Sequence, residues 1–409
     1  MAQLTHSETI SWFCFLSLIL LGSKLITYIG RHFHLPAIMS ELATGLLLGP
    51  CVLGILAPKW HKWLWPNTLH LGVALDVLSK IAVVILMFMA GTELSIKHIK
   101  KQARPTAYIS TTAMVIPFVL GFLVCFLNPS WFSKTPTNSW LLSLFIGTAM
   151  SISALPVIAK TLMDLNILKH RLGRIILTSA MIEDLAGWII FSFILSLFKQ
   201  QTLKILLLNI FLMLVFTIVS LTLGQRLLNR LFVFKNAKEY ILCGCLMACF
   251  LCAAFTEYLG FHAALGAFIA GMMFSYIDDT YNIVHPFLHP LINHFLAPVL
   301  FVSIGFKITR LEDFNGLLIM LILFIATVGK ILGAYMGARL AQLNSKESWA
   351  IGFGLNARGA MEIILGDLAL QAGLIQAPLF VALIVMAMTT SILSAPAMRY
   401  FIKNICTST

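Results

Sequence analysis

Charge is what this chain has least of. Lys, Arg, Asp and Glu together make up 11% of 409 residues, where a soluble domain carries about 25%, so a core built to be wrapped in water is excluded. Alternation of apolar and polar residues at period two is missing, which excludes the strands of a membrane barrel. The eight cysteines lie mostly inside apolar segments and lack the spacing of an extracellular disulfide framework. Cys245, Cys249 and Cys252 fall near one helical face and read as packing thiols rather than a soft-metal site. No basic stretch precedes the first apolar run, so that run reads as a retained span and not a cleaved leader. A phosphate-cradling glycine loop, a His-Glu-x-x-His zinc pair and a nucleophile elbow are all lacking, which argues against an enzyme and against a bound cofactor. After Phe401 only eight residues remain, and the expectation is one transmembrane domain over 1–409 with no soluble regulatory domain.

What is there is apolar. Hydrophobic residues supply 59% of the chain and the mean hydropathy is +0.93. Runs of about twenty such residues, the length that spans a bilayer as helix, occur near 9–29, 35–57, 72–93, 106–127, 138–163, 172–198, 203–225, 239–259, 262–275, 295–307, 315–341, 348–372 and 378–401. The fold class that follows is an all-α polytopic membrane protein of about 13 transmembrane helices set in a lipid bilayer. The segment from Pro286 to His294, ahead of a short span, is expected to lie along the interface.

A net charge of +12 would suggest nucleic acid in a soluble chain. Here the basic residues sit in short loops and report topology, so no nucleic-acid partner is expected. With the first loop cytoplasmic, that side collects sixteen Lys and Arg against seven on the other, which puts the N-terminus outside and the C-terminus in the cytoplasm of a cell (inner or plasma) membrane. Lys24, Lys80 and Lys160 are near enough to span ends to reach the interface. Glu41, Asp76, Glu93 and Glu257 also fall toward span ends and are expected to be interfacial. Lys330 and Arg358 have no such escape.

Transporters are often built from two inverted halves. Leu86-Met-Phe-Met-Ala-Gly91-Thr-Glu93-Leu94 resembles Leu300-Phe-Val-Ser-Ile-Gly305-Phe-Lys307-Ile308, and Glu41-Leu-Ala-Thr-Gly45 more weakly resembles Ala267-Phe-Ile-Ala-Gly271. The expectation is two inverted six-helix repeats, 9–198 and 239–401, with 203–225 as a linker helix. Each half contains one interrupted span. In the first, Thr148, Ser151 and Ser153 precede Pro156, whose ring removes the amide proton that would bond the carbonyl of Ile152. In the second, Gly352-Phe-Gly354-Leu-Asn356-Ala-Arg358-Gly359 is polar and glycine-bearing in mid-run. Two discontinuous helices that cross are thus expected, with the binding site at the crossing.

Between 172 and 198 stand two adjacent acids, Glu183 and Asp184, although one charge alone costs about 2.5–3.5 kcal/mol at the centre of a membrane helix. The order and spacing of several elements now carry a resemblance. Leu35-Pro36 through Gly45-Leu-Leu-Leu-Gly49-Pro50, Phe88-Met-Ala-Gly91-Thr-Glu93-Leu94, Ser151-Ile-Ser-Ala-Leu-Pro156-Val-Ile-Ala-Lys160, the Glu183-Asp184 pair, Gly329-Lys330-Ile-Leu-Gly333 and Asn356-Ala-Arg358-Gly359 with Glu362 are similar to successive motifs of the monovalent cation:proton antiporter-2 family, in the sodium/hydrogen exchanger superfamily. The resemblance covers almost the whole chain. It implies thirteen spans, a dimerisation part, a core part that moves against it, and a homodimer. It also implies ion-binding acids at Glu183 and Asp184 and a buried lysine at Lys330. The first acid departs from the pattern: electrogenic relatives usually have aspartate there and electroneutral ones asparagine, so the proton stoichiometry is not carried over.

Chemistry gives the acid pair a task. A bare monovalent cation needs oxygen ligands in place of water, and a carboxylate supplies both ligand and countercharge. A protonated carboxyl holds no cation well, so one group that takes a proton or a cation, never both, couples two fluxes. Consecutive helical residues point about 100° apart, so Asp184 is read as the exchanged site and Glu183 as the acid that pairs with Lys330 when no cation is bound. Thr148, Ser151, Ser153 and Asn356 are candidate oxygen donors to the cation or caps for the broken backbone. Arg358 and Glu362, four residues apart, form a helical pair at the second break, and Asp367 lies five residues beyond Glu362. The expected function is exchange of a monovalent cation, Na⁺ before K⁺ or Li⁺, for protons by alternating access. A potassium efflux path or channel-like conductor of the same fold is the alternative. An intramembrane aspartyl protease is the remote one, since Ile364-Leu-Gly-Asp367 lacks that family's first glycine and Ile182-Glu183-Asp184 its tyrosine.

Overall fold

The structure is a computed structural model that describes residues 5–32, 37–65, 69–92, 103–133, 138–165, 167, 170–198, 203–226, 238–275, 278–308 and 311–406. These residues are helical throughout apart from turns and short connections. The helices are α1 (His6–His32), α2 (Ala37–Leu48), α3 (Leu69–Thr92), α4 (Ala103–Leu127), α5 (Ser139–Ser151), α6 (Leu155–Asp164), α7 (Arg171–Phe198), α8 (Leu203–Val219), α9 (Lys238–Tyr258), α10 (Ala263–Phe274), α11 (Asp278–Leu291), α12 (Ala297–Phe306), α13 (Gly316–Leu340), α14 (Ser345–Leu355), α15 (Ala360–Gln371) and α16 (Ala377–Cys406). Among the described residues nine helices are long and apolar enough to cross a membrane. The other four of the thirteen expected spans are the two broken pairs α5/α6 and α14/α15, α8 with the π-helical turn Ser220–Gly224 that extends it, and α10. Large apolar side chains face outward from the long helices, among them Phe13 and Leu21 of α1 and Met320 and Phe324 of α13, as a lipid solvent permits.

The chain divides into two compact units, Met1–Leu94 with Leu212–Asp313, and Ser95–Phe211 with Phe314–Thr409. In the first unit α2 packs on α12 and α3 packs on α10, and both crossings are made by glycine on glycine. A Cβ on Gly45 would strike the Val302 carbonyl and the Cα of Gly305, while one on Gly305 would strike the Leu42 carbonyl and the Cα of Gly45. Gly91 and Gly271 repeat the arrangement, against the carbonyls of Phe268 and Phe88 and against each other's Cα. In every case the carbonyl met belongs to the residue three before the facing glycine, so the two crossings share one reciprocal geometry. Small residues that let backbones approach are how helices associate in lipid, where hydrophobic driving force between them is lacking. Phe15, Ile19, Leu75, Val299, Val302 and Phe306 form the neighbouring apolar core.

Two sequence expectations change in this unit. The segment from Pro286 to His294 is not a separate interfacial stretch: α11 runs through the π-helical turn Ile292–Leu296 into α12. Pro290 removes the amide that would bond the Pro286 carbonyl, and Pro286 removes one further back, yet the helix continues, since a membrane helix tolerates such losses when neighbours pack against it. Glu41 is not interfacial in exposure but buried, at 4%, because α2 lies between α12 and α1. Glu257, by contrast, accepts from the Ala263 amide at 2.9 Å and closes the start of α10 together with His262, which accepts from Ala264 at 3.1 Å. Lys24 is exposed and its Nζ lies 2.6 Å from His294 Nδ1, and Lys80 pairs with Asp76 at 2.8 Å. Cys245 and Cys249 are buried, Cys252 half-buried, and Cys249 Sγ lies 3.9 Å from the Val84 carbonyl. Glu93 and the side chain of Lys160 lie outside the described residues.

In the second unit α4 packs on α13 and α5, and α14 packs on α13 and α16. Gly333 and Gly337 of α13 admit the backbone of α4 at Thr112–Ala113 and Tyr108–Ile109. Asn138 caps α5 by accepting from Leu141 at 3.2 Å, Asn315 does the same for α13 with Leu318 at 3.2 Å, and Asn344 with Glu347 forms a reciprocal capping box on α14. These caps fix where α5 and α14 begin; the two helices end at the two breaks.

Candidate ion-binding site

The helix α5 stops at Ser151, the chain runs extended through Ile152, and α6 starts at Leu155. Opposite it, α14 stops at Leu355 and α15 starts at Ala360. The two interruptions meet: the amide of Ala154 donates to the carbonyl of Ala357 at 2.9 Å, and Ser153 Oγ lies 2.7 Å from the carbonyl of Leu355. Each break therefore supplies a partner for backbone groups that the other's helix has released. This is the condition under which non-helical backbone persists inside a membrane.

A helix end exposes carbonyls and carries partial negative charge. At the end of α5 those carbonyls meet two cations. Arg358 donates through Nη1 to Ala149 at 2.7 Å and through Nη2 to Met150, and Lys330 of α13 donates to Ser151. Glu362, in the first turn of α15 where the helix end is positive, pairs with the same guanidinium. Arg358 is thus occupied with helix ends. Thr148 and Ser151 spend their hydroxyl protons on their own helix, on Leu144 at 2.8 Å and Thr148 at 2.7 Å.

The acid pair sits in α7, beside this crossing. Glu183 and Asp184 are both 0% exposed, as is Lys330. Glu183 Oε2 accepts from Lys330 Nζ at 2.7 Å and lies 2.6 Å from Ser153 Oγ, whose single proton serves either Glu183 or Leu355 at a given moment. The adjacent Asp184 is arranged otherwise. Neither of its carboxylate oxygens has a hydrogen-bond partner among the described residues, and the amide of Leu155 faces it without reaching hydrogen-bond geometry. Buried oxygens without donors are rare in folded proteins and call for a ligand or a proton. Asn356 Oδ1 is another, on a residue 2% exposed at the end of α14. Glu183 Oε1 and Glu362 Oε2 are the other unpartnered carboxylate atoms among the described residues of this unit.

The ten residues singled out from sequence therefore fall into groups. Glu183, Lys330, Ser153 and Ser151 are joined by direct contacts, Arg358 pairs with Glu362 and reaches the end of α5 through Ala149 and Met150, Thr148 bonds within its own helix, and Asp184 and Asn356 present oxygens without a partner among the described residues. Pro156 lies in α6, and its side chain lies outside the described residues. Asp367 is apart from the pair and accepts from Gln371 at 2.8 Å. Two residues escaped sequence reasoning: Ser391 of α16 donates to the carbonyl of Arg358, and Ser394 donates to that of Phe353 at 2.7 Å. The available signal was a cluster of hydroxyls, Thr389-Thr390-Ser391 and Ser394, inside an apolar run.

Facing breaks beside buried carboxylates in an all-helical, multi-pass membrane protein are the plan of a secondary transporter. The model of the sodium/hydrogen exchanger family, transmembrane part, matches residues 17–399, and the chain belongs to that family. It is similar to the Na⁺/H⁺ antiporter NhaS4 of Synechocystis, 27% identical over 91% of this chain and 93% of that one. It is 28% identical to cation/H⁺ antiporter 17 of Arabidopsis thaliana over 93% of its own length, and spans about half, 47%, of that relative. Among solved structures it resembles the sodium proton antiporter MjNhaP1 of Methanocaldococcus jannaschii, with a TM-score of 0.66 and 15% identity over 95% of this chain and 96% of that one. That likeness concerns the fold.

Proposed function

We propose that this protein exchanges a monovalent cation for protons across a membrane, with the carboxylate of Asp184 as the group for which the two compete. The observation that carries the reading is the asymmetry of the acid pair. Glu183 already holds a cationic partner in Lys330, whereas Asp184, equally buried, has no hydrogen-bond partner for either oxygen among the described residues. A buried carboxylate left in that condition is costly by several kcal/mol, and it is relieved by a proton or by a metal cation but not by both together. Asn356 Oδ1 and the lone pairs of the Thr148 and Ser151 hydroxyls are the neutral oxygens we assign to the cation's remaining coordination. When a cation binds at Asp184, the added positive charge disfavours Lys330 beside Glu183, and the pair loosens; when it leaves, the pair re-forms. Arg358 and Glu362 hold the half-helix ends in place through the cycle.

Sodium is our assignment for the cation, with potassium and lithium as the competing ones. The same reading takes 9–198 and 239–401 as inverted repeats joined by 203–225, and the matched glycine crossings support it: Gly45 and Gly271, and Gly91 and Gly305, are equivalent positions in the two sequence echoes, and they are the residues that make the two reciprocal contacts. We place the N-terminus outside and the C-terminus in the cytoplasm of the cell membrane on the asymmetry of basic residues, and retain the homodimer implied by the family resemblance.

The test is vesicle antiport. Purified protein in sealed proteoliposomes with an imposed pH gradient should dissipate it on addition of sodium, with membrane potential recorded alongside. A cation flux that proceeds without proton movement would assign a conductor instead, and peptide cleavage without either flux would assign a protease.

A further inference from the structure

The second break is held from two sides, and only one of them was anticipated. From Gly352 to Gly359 the backbone carbonyls are almost fully engaged. Gly352, Gly354 and Gly359 accept from amides of the same strand of chain, namely those of Asn356, Ala357 and Ile363. Leu355 and Ala357 accept from the first break, through Ser153 and Ala154. Of the remaining three, Phe353 and Arg358 accept from Ser394 and Ser391 of α16.

Those two serines behave unlike their neighbours. A hydroxyl in a helix ordinarily bonds the carbonyl of its own preceding turn, and Thr389 and Thr390 do so, to Val385 at 2.8 Å and Met386 at 2.9 Å. Ser391 and Ser394, three residues apart and so on one face of α16, instead send their protons out of the helix to the second break. Both are buried, at 8% and 1%. The Arg358 carbonyl belongs to the residue whose guanidinium covers the end of α5, and Phe353 lies in the last turn of α14, before Asn356 with its unpartnered Oδ1.

We infer that Ser391 and Ser394 are positioning residues: α16 fixes the second break through their hydroxyls, and thereby sets where Arg358 and Asn356 stand relative to Asp184. This rests on the exchange reading above, and it predicts that loss of either hydroxyl weakens cation binding without slowing the cycle itself.

The experiment uses the full chain in proteoliposomes, with the sodium dependence of proton movement measured for Ser391→Ala, Ser391→Thr and Ser394→Ala. Ser391→Ala should raise the half-saturating sodium concentration about three- to tenfold, the equivalent of one lost hydrogen bond, and leave the maximal rate within about twofold. Ser391→Thr keeps the hydroxyl and should restore wild-type half-saturation, and Ser394→Ala should move it in the same direction by less. Wild-type half-saturation in Ser391→Ala, equal impairment in Ser391→Ala and Ser391→Thr, or a fall confined to the maximal rate would overturn the inference. If Ser391→Ala is not recovered folded, Ser394→Ala decides, and unchanged half-saturation there overturns it. Amide hydrogen exchange across 353–360 separates this failure from that of the exchange reading. Faster exchange at the break in Ser391→Ala, reversed in Ser391→Thr, supports the anchoring even where wild-type protein moves no protons, and unchanged exchange contradicts it.

Discussion

Where Gly45 meets Gly305 and Gly91 meets Gly271, two pairs of helices come within backbone contact, glycine against glycine. Where Ile152–Ala154 meets Asn356–Gly359, backbones also come into contact, but through hydrogen bonds, two buried cations and two buried acids. The first solution leaves the four crossing helices unbroken at the contact, and its glycines offer a passing ion no side chain. The second gives up two helical turns, and the released carbonyls then require Lys330, Arg358, Ser153, Ser391 and Ser394 as partners. What that outlay leaves over is a carboxylate, that of Asp184, whose oxygens have no hydrogen-bond partner among the described residues. Close packing alone makes a scaffold, whereas on the exchange reading proposed above a break whose polar groups are nearly, but not wholly, satisfied makes a place for a cation.

Several substitutions would break or sharpen this contrast. The largest effect is expected from Asp184→Asn, which removes the titrating group while keeping its shape: exchange should be abolished in a protein that still purifies as a folded, monodisperse species. Retained exchange in that variant would move the site elsewhere. Next comes Lys330→Ala, which leaves Glu183 buried without its cation and should cost about 3–5 kcal/mol, read as a fall in thermal stability in detergent. The double variant Lys330→Ala with Glu183→Gln removes the orphaned charge too, and it should recover most of that loss. If the double variant is no more stable than the single one, the pair is not the contact that matters. Smaller still is Gly271→Leu, which inserts a side chain into a glycine crossing and should cost about 1–3 kcal/mol or somewhat more by overpacking. Its half-saturating sodium concentration should stay unchanged in the fraction that folds, since no ion-binding group is touched; a large shift would mean that the apolar crossing also shapes the site.

Much of this was open to inspection in the residues. Two carboxylates in one apolar run are costly enough to stand out, and Lys330 and Arg358 stand out for the same reason, so the charged members of the site were found before any geometry. Pro156 and the glycines around Asn356 marked the breaks because both residue types disturb a helix through their own backbone. Hydroxyls were different. Ser151 and Ser153 belong to the same break, yet one bonds its own helix and the other spans to Glu183 and Leu355, and nothing local separates them. Ser391 and Ser394 went unnoticed for the same reason, because a serine in a membrane helix has a default partner one turn back and only tertiary packing reveals another. The α11–α12 segment is not legible as one helix because the apolar run 295–307 is short by itself, and only the structure shows the helix continuing back through the π-helical turn into α11. Proximity to a span end does not fix exposure: Glu41 stands near one and is buried, because α1 and α12 pack against α2.

The most direct test of the central claim is calorimetry of sodium binding to the purified wild-type protein, carried out in two buffers of different ionisation enthalpy and at two pH values. The competition at Asp184 predicts that binding releases protons, so that the observed heat depends on the buffer, and that affinity weakens as the pH is lowered. Sodium binding with the same heat in both buffers and the same affinity at both pH values would contradict it.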